Sequence, residues 1–511
     1  MTLPKIRHVE INQIDNFASH TPHDLTVIII DENDLQKGQI VSPELQTLDK
    51  NFSGTLSTLA SFDDFQGKWL QSSLSLSPDQ TQTKRIVVVG AGTKTNYLPA
   101  RARQLGLKTA EISMSIKAKN VVIQFVSSVF NKPELMAQAA IGFNLGIYKY
   151  PNSHLSAEAL QEIETPVTLD FVTTAPEFKQ KLKDIAILNN SINLQRLLQD
   201  GPPNIVTPQY VAQNMTEQAK SLGIKTDVMG AEQLKHLGFG AMLAVAGGST
   251  HEPQFVVFEY APAQYNKTIA FVGKGLTMDT GGYSIKTPST SQEGMKYDMS
   301  GAAVALSSVL AIAKLKLPVK VFGVAALCEN MIDAKSYRVG DVVTSYSGKT
   351  IEILNTDAEG RVVLSDALSY TEKNLKPDYI VEYSTLTGAI ITQFGYVGAG
   401  VFAFDDHLGQ VIEQAGHETG ERLYLLPTWE EIAEDLKSPL ADICNIGQTR
   451  GSAGSMIAAA FLKEFVSQTP FAHIDIAGVA NANQAIGYPR KISSGYGVQL
   501  SVKIAQILAK I

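Results

Sequence analysis

Cysteine is nearly absent: 511 residues carry only two, Cys328 and Cys444, far apart in the chain. That excludes a disulfide framework and a cysteine-based zinc site, and it fits a reducing compartment. An excess of positive charge is also lacking, since 43 Lys and Arg face 50 Asp and Glu for a net charge of -7. No global footprint for nucleic acid or an anionic membrane follows from that balance. The opening stretch MTLPKIRHVEINQIDNF has no apolar region of the kind a secretory signal needs, so a cytoplasmic protein is expected. Charge is missing altogether between Tyr383 and Phe404, a run long enough in principle to span a bilayer. Gly388, Gln393, Gly395, Gly398 and Gly400 break it, so it reads as buried core with turns, and neither membrane nor nucleic acid is expected as a partner.

What is present is ordinary for a packed soluble chain, 44% apolar and 18% charged, at a length that calls for two to four domains. Strand-like runs alternate with helix-like ones. LTVIII (25 to 30), RIVVVGAG (85 to 92) and NVVIQF (120 to 125) read as buried strands, with helical spacing in ARARQLGLKTAEISMSI. A dinucleotide-binding reading of Gly90-Ala91-Gly92 fails for want of a third glycine and of an acidic residue at the expected distance. A helical pattern from about 177 to 200 ends at the breaker Gly201-Pro202-Pro203. Strands then recur at 254 to 260, 267 to 273, 319 to 327, 349 to 354, 378 to 384 and 473 to 478. Helices are expected from about 300 to 316 and 361 to 374. The expected fold is α/β, with a smaller N-terminal α/β domain (1–170), a linker helix (171–200) and a larger C-terminal catalytic α/β domain (201–511) built on a mostly parallel sheet.

In such a sheet, ligands bind beyond the carboxyl ends of the strands. Charge collects where that rule puts it. GKGLTMDTGGYSIK follows the strand 267 to 273 and carries Lys274, Asp279 and Lys286; MKYDMSG brings Asp298; NTDAEGR follows the strand 349 to 354 with Asp357, Glu359 and Arg361. Taken singly, Asp298 or Asp357 reads as a helix N-cap. Four carboxylates and two lysines at one sheet edge would be costly unless paired or bound to metal. Asp279, Asp298, Asp357 and Glu359 offer eight oxygens, a match for two divalent cations among Zn, Mn, Mg and Co. Such a pair can polarise a carbonyl and activate water, which points to hydrolysis. Lys274 either stays charged and pairs with a carboxylate or loses its proton and ligates metal. Lys286 suits stabilisation of a developing oxyanion. Arg361 stays protonated and can clamp a carboxylate-like anion.

These segments, with STLTGA, FLKEFV and HIDIAG downstream, resemble the leucyl (cytosol) aminopeptidase family of dimetal exopeptidases over the C-terminal two thirds of the chain. The resemblance implies peptide substrates and two metals, Zn or Mn first, with Co or Mg as alternatives. It makes Lys274, Asp279, Asp298, Asp357 and Glu359 the ligands, with Lys274 neutral and Asp279 and Glu359 shared. Lys286 would stabilise the gem-diolate, Arg361 would hold a bicarbonate acting as general base, and Met295 and Thr385 would line the substrate pocket, with apolar N-terminal residues such as leucine preferred. It also implies a homohexamer of two stacked trimers. The chain departs from the family in having one residue more between Lys286 and Asp298, and in Val339, Glu382, Tyr383, Phe471 and KISSGYG.

Two rival readings remain: a phosphoesterase, whose metal sites usually recruit histidine, and a non-catalytic family member kept as a structural subunit. The nine histidines lie outside both motifs, which disfavours the first, and no ligand is missing, which disfavours the second. His473 and Asp475 read as structural groups in an apolar strand, and Cys328 as core packing.

Overall fold

The computed structural model describes residues 2–17, 22–62, 65–78, 82–151, 157–287, 292–449, 451–481 and 493–510. The chain divides into two compact units at Asn189/Asn190, within the helix Pro176–Asp200.

The N-terminal unit is built on a six-stranded sheet. Its spatial order is Val9–Ile14, Val167–Val172, Asn120–Phe125, Leu25–Ile30, Arg85–Gly90, Ser72–Leu76, parallel except for the last pair. Leu25–Ile30 is central and buried on both faces, which is why it is apolar without alternation. Edge strand Ser72–Leu76 alternates exposed and half-buried residues, as one covered face requires.

The larger unit holds an eight-stranded sheet in the order Leu423–Leu425, Ala399–Ala403, Phe471–Asp475, Tyr379–Ser384, Thr268–Asp279, Lys320–Asn330, Gln254–Tyr260, Lys225–Met229. The four central strands, Phe471–Asp475 to Lys320–Asn330, are mutually parallel. The charge-free stretch supplies the end of strand Tyr379–Ser384, the short helix Gly388–Phe394 and strand Ala399–Ala403; the two strands are buried as expected, but the helix between them buries only Ile390, so the core reading holds for the strands and not for the helix.

Two sequence expectations need correction. The strand starting at Thr268 does not end at residue 273 but runs to Asp279, so Lys274 and Asp279 lie on it rather than past it. Lys274 and Asp279 are charged where the strand reaches a cavity, and a search for apolar runs stops short of them. Residues 349 to 354 contribute only Thr350–Glu352. This short strand pairs with Val342–Thr344 and Ile443–Cys444 in a separate three-stranded sheet and not with the main one.

The helix Ser300–Leu315 is buried from Ser300 through Ile312. Small residues at its start allow close approach to the sheet. A Cβ on Gly301 would lie 1.9 Å from the Tyr383 carbonyl oxygen, and one on Gly273 would lie 2.1 Å from the Gly301 carbonyl oxygen. The N-terminus of this helix is thereby held against the strand at Lys274, which fixes where Asp298 can reach.

A turn beside this core is fastened by one carboxylate. Glu372 accepts the backbone N–H groups of Ser467, Gln468 and Thr469, each at 2.9 Å, and the Ser467 hydroxyl at 2.8 Å. Partial burial works against its charge, but those donors hold its pKa down to about 2 from an ordinary 4.5. A carboxyl depressed in the folded state adds stability that is present above its unfolded pKa and is lost as pH falls toward its folded one. Glu372→Gln is therefore expected to cost about 1–2 kcal/mol at pH 7. The gap to wild type should close as pH falls from 4.5 toward 2, as measured by urea unfolding at several pH values. A gap independent of pH would show that the carboxylate charge plays no part.

Candidate active site and metal centre

The carboxyl ends of the central strands open into a cavity of about 840 Å³. Lys274, Asp279, Lys286, Met295, Asp298, Asp357, Glu359 and Thr385 all lie on its wall, so eight of the nine residues singled out from sequence converge there. Arg361 is not on this wall. It is buried two residues beyond Glu359 on the helix Glu359–Tyr370, where its Nη1 donates to the Asn445 carbonyl at 3.1 Å.

Lys274 and Asp279 are five positions apart, a separation that puts side chains on opposite faces of a regular strand. A β-bulge removes the conflict. Leu276 opposes Cys328 and Met278 opposes Glu329, so Thr277 is an extra residue and the parity of the strand changes there. Both side chains then face the cavity.

Neither Asp298 nor Asp357 is a helix cap. The helices that follow begin after Met299 and Ala358, with no side-chain capping bond. Glu359 is the first residue of its helix, two positions before the start expected from the sequence.

The charges are interlocked. Lys274 Nζ lies 2.7 Å from Asp298 Oδ2 and 2.8 Å from Glu359 Oε1, and Lys286 Nζ lies 2.8 Å from Asp279 Oδ2 and 2.5 Å from Asp357 Oδ1. Burial alone would strip the proton from Lys274, but Asp298, Glu359 and Asp279 outweigh it and hold the ammonium well above the ordinary lysine range. Lys286 is raised for the same reason. Burial, then mutual crowding, pushes Glu359 up to about 8 and Asp298 up to about 6. The shifts on Lys274 and Glu359 pull one ion pair in opposite senses. The direction that stands is an excess of negative charge, because four carboxylates face two ammonium groups and all but Asp357 are largely buried.

That excess fits divalent cations. Carboxylate oxygens of Asp279, Asp298 and Glu359 come within 4.8 Å of one another. Among the described residues Glu359 Oε2 is buried with no hydrogen-bond partner, and Asp298 Oδ2 and Asp357 Oδ1 touch ammonium groups without hydrogen-bond alignment. Buried acceptors left in this state are costly, and a hard cation would satisfy them. Arg361 has a buried Nε without a partner among the described residues, and burial lowers its pKa to about 10 against the opposing pull of Glu359 and Asp475.

Sequence reasoning missed the residues that hold this set in place. Asn330, the last residue of its strand, donates to Asp279 Oδ1 at 2.9 Å and to the Thr356 carbonyl at 3.0 Å. Thr356 ties the two charged segments together, donating to the Gly281 carbonyl at 2.7 Å and accepting from the Ser284 N–H at 2.7 Å. Asn445 accepts the N–H groups of Leu354 and Asn355 and donates to the Asn355 carbonyl at 2.6 Å. Lone Asn and Thr residues at strand ends look like turn formers, and only the register of Asp279 opposite Asn330 gives the first away. His473 and Glu382 form a fully buried pair with Nδ1 and Oε2 2.5 Å apart, burial pushes the Cys328 thiol well up, and among the described residues no histidine or cysteine lines the cavity.

Comparison with known proteins places the fold in a family. Residues 193–502 match the catalytic domain of the cytosol aminopeptidase family and residues 27–154 match its N-terminal domain. A probable cytosol aminopeptidase of Rickettsia canadensis is 37% identical over 467 residues, covering 90% of this chain and 93% of that protein. One from Rickettsia rickettsii is 34% identical over 494 residues, 96% and 97% of the two chains. A solved structure of a mutant tomato leucine aminopeptidase superposes with a TM-score of 0.88 at 33% identity, covering 99% of both chains. The chain belongs to the cytosol aminopeptidase family and carries both of its domains.

Proposed function

We propose that this aminopeptidase releases N-terminal residues from peptides with two divalent metal ions held by Lys274, Asp279, Asp298, Asp357 and Glu359, Asp279 and Glu359 being shared between the two. The observation that carries this reading is the convergence of all five side chains, with Lys286, on one cavity where negative charge exceeds positive. When bound, such a pair supplies Lewis-acid polarisation of a carbonyl and an acidified water. Lys274 must exchange its two ion pairs for a neutral ligand role, which a cation competing for Asp298 and Glu359 favours. Lys286, a persistent cation on the cavity wall, stabilises negative charge on the substrate carbonyl oxygen. Arg361 would hold bicarbonate, which supplies a proton acceptor. Met295 and Ile391 give the wall an apolar part, which supports N-terminal residues such as leucine, with Thr385 beside them.

Zn or Mn is the proposed metal. A cytoplasmic homohexamer of two stacked trimers, and the boundaries 1–170, 171–200 and 201–511, belong to the same proposal by likeness to the family.

The test is hydrolysis of leucine-p-nitroanilide by chelator-stripped protein with Zn, Mn, Co or Mg returned in parallel, and an N-acetylated substrate as control. Activity is expected to vanish on stripping, to return with metal, and to fail on the blocked amine. Full activity in excess chelator overturns the metal assignment; cleavage of the blocked substrate overturns the exopeptidase one.

A further inference from the structure

The segment from Thr385 to Thr387 joins the end of a central strand to the helix Gly388–Phe394 without being part of either, and it lines the cavity. Its Thr385 hydroxyl donates to Asp298 Oδ1 at 2.6 Å, while the Thr385 carbonyl accepts from Lys274 Nζ at 3.3 Å. One residue thus touches two of the proposed ligands, and a shift in its backbone moves both. A loop this close to the chemistry, with no ladder or helix bonds of its own, has to be fixed from outside.

The fixing group is Asp475. It is fully buried at the end of the strand Phe471–Asp475, directly opposite Ser384 in register. Its Oδ1 accepts the Leu386 N–H at 3.2 Å and the Ala477 N–H at 3.2 Å, and its Oδ2 accepts the Thr387 hydroxyl at 2.7 Å. Thr387 in turn caps the following helix by accepting the Ile390 N–H at 3.2 Å. Both carboxylate oxygens are therefore spent on this one junction. A hydrophobic strand end would fill the space as well, but it would leave the Leu386 N–H and the Thr387 hydroxyl unsatisfied in the interior.

We propose that Asp475 is a positioning residue for the reaction: by clamping the 385–387 loop it sets the Thr385 hydroxyl and carbonyl that align Asp298 and Lys274. The inference rests on the metal reading given above. It separates from a merely structural role, because clamping the loop acts on turnover and metal affinity and not only on stability.

The experiment uses the full-length, metal-loaded enzyme with Asp475→Asn, Thr385→Val and the double variant, and Thr387→Val as a milder break of the same clamp. Asp475→Asn is expected to lower kcat or metal affinity about 10–100-fold, the scale found when groups that orient metal ligands are removed. KM should change much less. The double variant should be no worse than Asp475→Asn alone, because the Thr385 hydroxyl bond to Asp298 is one of the two contacts through which Asp475 acts. Thr387→Val should move kcat in the same direction, which decides the matter if Asp475→Asn does not fold. A lower melting temperature with wild-type kcat and metal affinity overturns the proposal, as do fully additive single effects. A wild type indifferent to metal overturns the underlying metal reading and this inference with it; a metal-dependent wild type matched by its Asp475→Asn variant overturns the role of Asp475 alone.

Discussion

Glu359→Gln is expected to lower kcat by about 10³-fold or more, because a shared ligand contributes several kcal/mol of charge stabilisation in a two-metal site. The same change should leave the chelated protein at least as stable as wild type. Among the described residues the buried Oε2 of Glu359 has no partner, and burial, then crowding by Asp279, raises its pKa to about 8, so its charge is a liability when metal is stripped away. Glutamine keeps the shape and removes the charge, while Lys274 keeps its contact with Asp298 at 2.7 Å. Calorimetry of both chelated proteins, with metal analysis and turnover of the reconstituted ones, tests both halves. Wild-type turnover with wild-type metal content would remove Glu359 from the ligand set. A large loss of stability in the chelated variant would show that the carboxylate is needed for folding and that the excess of negative charge is not a strain. Active sites often carry such opposition between stability and function.

Gly360→Ala has the second large expected effect and adds only one methyl group. In an exposed helix this substitution gains about 1 kcal/mol of helix propensity. Here the new Cβ would stand 2.3 Å from Lys274 Cε and 2.7 Å from Lys274 Nζ. Lys274 lines the cavity, so its long side chain can give way only by carrying the amine out of the position between Asp298 and Glu359. A displacement on the order of 1 Å at a reacting centre can cost about 10²-fold in rate, which is the expected loss, with the far-ultraviolet circular dichroism unchanged. An active Gly360→Ala enzyme would mean that Lys274 sits elsewhere during turnover.

How far the sequence speaks can be judged residue by residue. Apolar runs such as residues 27–30 and 121–123 are legible because a strand buried on both faces needs them. The cavity residues are legible for the opposite reason: Lys274, Asp279, Asp298, Asp357 and Glu359 are charges set into otherwise apolar surroundings, and all five reach the cavity wall. What stays hidden is non-local. Alternation within Thr350–Glu352 cannot tell which sheet the strand joins, and that was decided by pairing with Ile443–Cys444 some ninety positions away. Asn330, Asn445 and Asp475 look like common strand-end polar residues until their partners are known. The helix expected from about residue 361 opens at Glu359. The local sequence AEGR permits both, and helix ends are set by packing more than by propensity.

The bulge at Thr277 bears on how relatives of this site are found. A pattern that demands four residues between the lysine and the first aspartate treats that count as chemistry. In space it is bookkeeping: the extra residue is absorbed where Leu276 and Met278 face consecutive residues of the neighbouring strand. A chain with three intervening residues and a regular strand would present the same two side chains to the same cavity. Pattern searches built on fixed spacing would discard it, whereas a search that allows one position of slack at the bulge, and none between Asp357 and Glu359, follows the geometry.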